Sequence, residues 1–322
     1  MHGTGLIGYG IQGRRMAATL RQHRAFAIRA VWDPDADARA AAAAETPGIA
    51  TPPDPSAVFA DPAIAVIYIA SPPASHLLHV GRALDAGKAV FCEKPLATDR
   101  HAAAAMVARV EGEGARAAVN FSLAHAPAFL AAAEAFAAGA TGTPRSVAID
   151  VAFREWPRPW QRDAARWLAG AAEGGFTREV VSHFVWVTRR LLGPLAVRSA
   201  SVRRPAEDAA ESALSATFAA GAVTGTVSGT VGPGVTEDDV NSWTLEGDAG
   251  ALRIFDWYRF ARRGEAGWVE SDLGAAEDRR ERSRMAQLDA LAAMIEGRPH
   301  GLPSLREALD VQLAVEAMLA GA

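Results

Sequence analysis

Apolar residues follow two different rhythms along this chain. From Thr4 to about Phe121, short apolar runs alternate with segments of helical spacing, the order expected of repeated β-α units. Strand candidates are Leu6-Ile7, Ile28 to Trp32, Ala65 to Ala70, Ala89 to Cys92 and Ala117 to Phe121. Most are continuously apolar, as strands of a parallel sheet covered on both faces are. Helices are predicted between them near Gln12 to Gln22, Asp35 to Glu45, Ser75 to Ala86 and Asp99 to Glu113. After a further helix near Pro127 to Ala138, longer segments of β character take over: Ser146 to Phe153, Val197 to Val202, Ala213 to Phe218, Val223 to Val231, Trp243 to Leu245 and Leu252 to Phe255. These read as a large, mostly antiparallel open sheet, with Gly221 and Gly247 to Gly250 at its tight connections. Two closing helices, Arg284 to Glu296 and Ser304 to Leu319, are separated by the breaker run Gly297 to Pro303. The expected fold class is α/β plus α+β, divided into residues 1–121 and residues 122–322.

Composition narrows the partners. Half of the 322 residues are hydrophobic, 22% are charged, the formal net charge is -4 and the pI is near 6.1. No basic tail or polybasic cluster offers a footprint for nucleic acid or an anionic membrane, so a small-molecule partner is expected. No apolar run approaches the ~18 residues of a membrane span, and no charged leader precedes the first strand, which leads to the expectation of a cytoplasmic protein. The single cysteine, Cys92, suits a reducing compartment and reads as a buried structural thiol. His76 and His79 share a helix face, but neither an HExxH pattern nor a cysteine cluster accompanies them, so no metal is expected. Neither a GxSxG elbow nor a P-loop lysine occurs.

Two overlapping GxGxxG patterns stand at the N-terminus, Gly3-Gly5-Gly8 and Gly8-Gly10-Gly13. The second has a strand before it and a helix after it, the context that a dinucleotide-binding turn requires. Gly8 would permit the bend, Gly10 would let the backbone approach a pyrophosphate, and Gly13 would let helix and strand pack closely. The N–H groups around Ile11 and Gln12 would face the anion at the positive end of the helix. Asp33 ends the second strand twenty residues after Gly13, where a carboxylate can accept hydrogen bonds from ribose hydroxyls. This favours NAD; NADP stays open because Arg14 could face a 2′-phosphate. Residues 1–121 are therefore expected to form a Rossmann dinucleotide-binding domain.

The order of this turn, Asp33, the segment Ser71-Pro72 with His76, and Glu93-Lys94-Pro95 resembles the Gfo/Idh/MocA oxidoreductase family. The similarity continues through Gly174 to His183 and the Pro303-Ser304-x-x-Glu307-Ala308-Leu309 helix. The resemblance implies a substrate lying between an open sheet and the nicotinamide, with Lys94 beside the reacting carbon. An ammonium there can hold the substrate oxygen, stabilise alkoxide charge and exchange a proton. By the same resemblance Ser71, Pro72, His76 and Glu93 line the cofactor, and Pro95 follows Lys94 through a cis bond. Glu179 and His183, at i and i+4 on an expected helix, share one face, so His183 can serve as acid/base or substrate ligand with the carboxylate orienting it. Relatives commonly carry Asp where this chain has Glu179, and a Tyr and Arg where it has Asn120 to His125. Asn120 is nevertheless expected at the substrate, and Trp156, Trp160 and Trp167 as walls of its pocket. The implied activity is hydride transfer between a nicotinamide and a secondary alcohol or ketone of a sugar, inositol-like polyol or related compound. NAD-assisted glycoside cleavage and a non-catalytic dinucleotide-responsive regulator are the alternatives, and a homodimer or homotetramer is the expected assembly.

Overall fold

In the computed structural model, residues 1–321 are described, and for residues 162–166 only the main chain. The chain forms two compact units, Met1–Phe121 with Arg284–Leu309, and Ser122–Ser283 with the chain from Asp310 onward.

In the first unit β1 (His2–Ile7), β2 (Phe26–Trp32), β3 (Val66–Ile69), β4 (Ala89–Glu93) and β5 (Ala117–Asn120) form a parallel sheet in the order β2-β1-β3-β4-β5. Every residue of β3 and β4 is buried, as the continuous apolar runs require. The intervening helices are α1 (Ile11–Gln22), α2 (Ala36–Glu45), α3 (Ser56–Ala60), α4 (His76–Asp85) and α5 (Arg100–Glu113). Short polar residues start two of them: Asp35 accepts from the Asp37 N–H and Asp99 from those of His101 and Ala102. Because β1 lies between β2 and β3, the connections leave it in opposite directions, which creates a switch point at the carboxyl ends of these strands. β1 is longer than its predicted two residues and includes Gly3 and Gly5, so the first two glycines of the first GxGxxG pattern lie inside a strand. Added Cβ atoms there would stand 1.9 Å from the Ala63 oxygen and 2.6 Å from Val58 Cγ1. Those glycines serve close packing and leave the turn to the second pattern.

The second unit contains α6 (Pro127–Ala137), α7 (Ala165–Leu168), α8 (Ser182–Leu192) and an eight-stranded sheet. Its strands are β6 (Pro144–Phe153), β7 (Ala196–Arg203), β8 (Ala213–Ala220), β9 (Val223–Val231), β10 (Val240–Gly247), β11 (Ala251–Phe255), β12 (Arg259–Gly264) and β13 (Gly267–Glu270). The order is β13-β12-β11-β10-β6-β9-β8-β7, with β6 and β9 parallel and the other neighbours antiparallel. Burial alternates along β9, so one sheet face is covered and the Thr224, Thr226, Ser228 and Thr230 face is not. On the covered face Trp243 donates to Thr188 of α8 at 2.9 Å, and the Trp186 ring of the same helix packs on Phe129. β12 and β13 escape an apolar reading because they carry Arg259, Arg262, Arg263 and Glu270 at the sheet edge.

The last two helices, α9 (Ala276–Ile295) and α10 (Leu305–Leu319), depart from the expected division of the chain. Residues 284–309 belong with the first unit, although the linear pattern groups them with the second. Leu288, Leu291, Met294, Ile295 and Leu302 are buried in one core with Leu6, Val31 and Phe91, and this apolar burial decides their membership. The Ser304-x-x-Glu307 motif forms a capping box: Glu307 accepts from the Ser304 N–H at 2.9 Å, and Ser304 Oγ accepts from the Glu307 N–H at 3.2 Å.

Candidate active site

At the carboxyl edge of the parallel sheet, contacts run from one predicted residue to the next. Gly8 has φ +95, and a Cβ on it would lie 2.6 Å from the Ala70 carbonyl, so turn and packing both demand glycine. A Cβ on Gly13 would come 2.2 Å from the Gly8 oxygen, whereas one on Gly10 would meet no atom within 4 Å. The turn is therefore closed toward the sheet and open at Gly10, where α1 begins without a side-chain cap and without an acid in its first turn. Ile11 and Gln12 stand at that positive helix end, a setting that fits an anionic pyrophosphate.

Asp33 fastens the turn. Its Oδ2 accepts from the Tyr9 N–H at 2.7 Å and its Oδ1 from the Asp35 N–H at 2.9 Å. Its charge thus stands beside the glycine turn, with carboxylate lone pairs beyond these two bonds. Arg14 is engaged locally: it donates to the Tyr9 oxygen at 3.2 Å, lies over the Tyr9 ring and stands 4.0 Å from Glu45. Glu45 also accepts from the Tyr9 hydroxyl. Burial, with the Glu45 carboxylate next in importance, raises the pKa of that hydroxyl and keeps its proton in place.

The loop after β3 is tied to the loop after β4 by His76, whose ring nitrogens lie 2.8 Å from the Ser71 and Pro95 carbonyl oxygens. The imidazole thus links the two loops, and burial favours its neutral form, which donates to one of these oxygens at a time. Ser71 accepts from Ser75, and Pro72 leads into the turn before α4. Lys94 follows the last residue of β4, and the Lys94-Pro95 peptide is cis.

Beneath Lys94 lies a polar network that linear pattern does not reveal. Glu93 Oε1 accepts from the Tyr68 hydroxyl and from Asn120 Nδ2, the latter at 2.7 Å; Gln287 in turn donates to Asn120 Oδ1 at 2.8 Å. The register pairs Glu93 with Asn120 across β4 and β5. Burial first, and then the Glu93 charge, pushes the Tyr68 phenol well above its ordinary value, so Tyr68 remains the donor. Asn120 thus supports Glu93 through its amide nitrogen and is itself held by Gln287. Cys92 is buried, and burial raises its thiol pKa, as expected of a structural cysteine.

The second unit gathers Glu179, His183 and Trp156. The expected helix opens with a π turn, Thr177–Val181, before α8, so Glu179 lies in the π turn and His183 in the α-helix. Such turns recur at functional sites. The buried Glu211 anchors this start by accepting from the Thr177 N–H at 2.7 Å, while Arg178 pairs with Glu316 at 2.7 Å. Trp156 donates to the Leu168 oxygen and packs on Phe153 and Phe176, which fixes the place of its ring. Trp160 and Trp167 are 47% and 37% exposed, so they retain open ring surface.

Sequence reasoning missed Arg158, Gln161, Asp239 and Trp257. Arg158 donates to Asp239 at 2.6 Å and stands 3.8 Å from Glu179; Gln161 also donates to Glu179, at 3.2 Å. Trp257 donates to Asp239 and meets His183 edge-on, with ring centroids 5.5 Å apart. The tryptophan-rich run around Arg158 was a usable signal, whereas Asp239 closes an acidic run that reads as a solvated turn. Among the described residues no group of three or more His, Cys, Asp or Glu is arranged to hold a metal ion, and no helix is long and apolar enough to cross a membrane.

A glycine turn, a fastened acidic strand end and a lysine at the carboxyl edge of a parallel sheet define a Rossmann dinucleotide-binding unit. Residues 3–121 match the model of the Gfo/Idh/MocA oxidoreductase family, NAD-binding Rossmann fold. Inositol 2-dehydrogenase 3 of Saccharopolyspora erythraea is 36% identical over 142 residues, 44% of this chain and 42% of that protein. The chain thus matches less than half the length of this curated relative. An oxidoreductase from Agrobacterium radiobacter, solved with NAD+, L-tartaric acid and magnesium, shares the fold at TM-score 0.83 and 19% identity, over 99% of this chain and 96% of that one. A 3-ketoreductase from Actinomadura kijaniata, solved with NADP and TDP-benzene, does so at TM-score 0.80 and 22% identity, over 100% and 98%.

Proposed function

We propose that this protein is an NAD-dependent dehydrogenase or reductase acting on a secondary alcohol or ketone of a sugar, an inositol-like polyol or a related hydroxy/keto compound. The observation that carries the reading is Lys94, held at the carboxyl end of β4 in the same unit as a glycine turn open to a dinucleotide at Gly10. Gly8, Gly10, Ile11, Gln12 and Gly13 hold the pyrophosphate, Asp33 takes the adenosine ribose, and the bound nicotinamide supplies the acceptor or donor of a hydride. Asp33 favours NAD, because its carboxylate repels a 2′-phosphate.

Lys94 hydrogen-bonds the substrate oxygen, stabilises the negative charge that develops on it and takes or returns its proton. Glu93 is turned to the network beneath, its Oε1 accepting from both Tyr68 and Asn120. His183 assists by holding a substrate hydroxyl or relaying its proton, and Glu179 orients this exchange. The likeness of the matched segment to an inositol dehydrogenase supports a polyol as substrate. We further propose that the enzyme works in the cytoplasm as a homodimer or homotetramer.

The test is a screen of myo-inositol, other polyols, sugars and their keto forms with NAD(H) and NADP(H), followed by the absorbance of the reduced nicotinamide. Turnover with a polyol or sugar, faster with NAD, is expected. A protein that binds NAD but turns over none of these compounds would overturn the reading.

A further inference from the structure

Glu179 and His183 belong to two successive segments of one helix, and both are met by groups that converge on Asp239. The Arg158 side chain is only 5% exposed and lies against the rings of Phe153, Trp156 and Trp160. A buried guanidinium needs a counter-charge, and its short bond goes to Asp239 Oδ2 at 2.6 Å, while its approach to Glu179 is looser at 3.8 Å. Gln161 bridges the pair, accepting from Arg158 Nε at 3.0 Å and donating to Glu179 Oε1 at 3.2 Å. An arginine beside a single carboxylate tends toward a two-bond fork. Asp239 is the acceptor that draws Arg158 away from such a fork with Glu179.

The same Asp239 oxygen accepts from the Trp257 indole at 3.1 Å, and the Trp257 ring stands against His183. Asn241 completes the arrangement by donating to Asp239 Oδ1 at 3.0 Å and accepting from the Trp257 N–H at 2.9 Å. Trp257 has φ 65 and its neighbour Asp256 φ 45, both left-handed and costly for residues other than glycine. Such backbone persists where surrounding contacts over-determine it, and functional sites are where it clusters.

We propose that Asp239 is a positioning residue of the reaction: it holds Arg158 off Glu179 and Trp257 against His183, so that the carboxylate and the imidazole both stay directed to the substrate. This rests on the reading of Glu179 and His183 as participants in hydride transfer. Without the Asp239 charge, Arg158 closes on Glu179 and withdraws it.

The experiment measures kcat, KM and NAD affinity, with NAD and the polyol that turns over in the screen, myo-inositol being the first tried. Asp239→Asn retains an acceptor for the Trp257 indole but loses the charge; kcat should fall about tenfold to a hundredfold, the scale of a misplaced catalytic group, with NAD affinity unchanged. Asp239→Glu should keep most of kcat. In the Asp239→Asn background, Arg158→Lys should recover several-fold of the lost rate, because lysine cannot form the fork. A merely structural role predicts no such recovery. Wild-type kcat in a folded Asp239→Asn protein, or additive losses in the double variant, overturns the proposal. If Asp239→Asn does not fold, Asp239→Ser with and without Arg158→Lys applies the same criterion. Glu179→Gln and His183→Asn serve as controls: wild-type kcat in both would overturn the underlying reading, whereas loss in both with Asp239→Asn unaffected sinks only the role of Asp239.

Discussion

Lys94 is one residue beyond a strand whose last side chain, Glu93, is held by Tyr68 and Asn120, so its main-chain origin is set by a buried network. Lys94→Met keeps the stem volume and removes the charge and the transferable proton. The folded variant should bind NAD with wild-type affinity while single-turnover hydride transfer slows about a hundredfold or more, the scale of general acid-base catalysis. A wild-type single-turnover rate would move proton handling to His183 or a bound water. Asp33 admits a second test, because its carboxylate both fastens the Tyr9 N–H and faces the glycine turn. Asp33→Ala should weaken NAD about tenfold or more, the worth of a hydrogen bond to a charged group, and weaken NADP less because repulsion is relieved. Equal losses in calorimetry for the two cofactors would refute the ribose role. Asp33, the glycines and Lys94 were readable along the chain because each lies within a few residues of a strand end. The use of Asn120 by Glu93 was not, because it depends on the register of β4 against β5.

The element that most needs tertiary support is the π turn before α8. Its first N–H groups lack partners inside the helix, and the buried Glu211 accepts the one from Thr177. A Cβ on Gly175 would stand 2.2 Å from Glu211 Oε2, so the glycine makes room for that carboxylate. Glu211→Ala leaves a buried N–H without its acceptor and should cost on the order of 1–3 kcal/mol, read from denaturant unfolding. It should also lower kcat more than NAD affinity, because the turn carries Glu179. An unchanged unfolding midpoint would show that Glu211 does not anchor the turn. Helical spacing of Glu179 and His183 foretold a shared helix, but i+4 spacing is common to α-helices and could not announce a π turn that opens it.

At the scale of the whole molecule, ligand binding and stability are linked. NAD at a hundred times its Kd should stabilise the unit that binds it by about 2.7 kcal/mol. Its thermal transition should rise by several degrees, and Gly10→Val, which fills the open side of the turn, should abolish the rise while leaving the protein folded. A normal NAD-dependent shift in that variant would mean that the pyrophosphate lies elsewhere. The sequence by itself determined the alternation of strands and helices, the site of the glycine turn, the acidic end of β2 and the lysine after β4, since each depends on residues adjacent in the chain. Tertiary structure alone decided that residues 284–309 complete the first unit and that Gln287 supports Asn120 across 167 positions. It also decided that Asp239 meets Arg158 across 81 positions. A local pattern records which face of an element is apolar, but a polar side chain finds its partner through sheet register and packing, which bring distant parts of the chain within hydrogen-bonding reach.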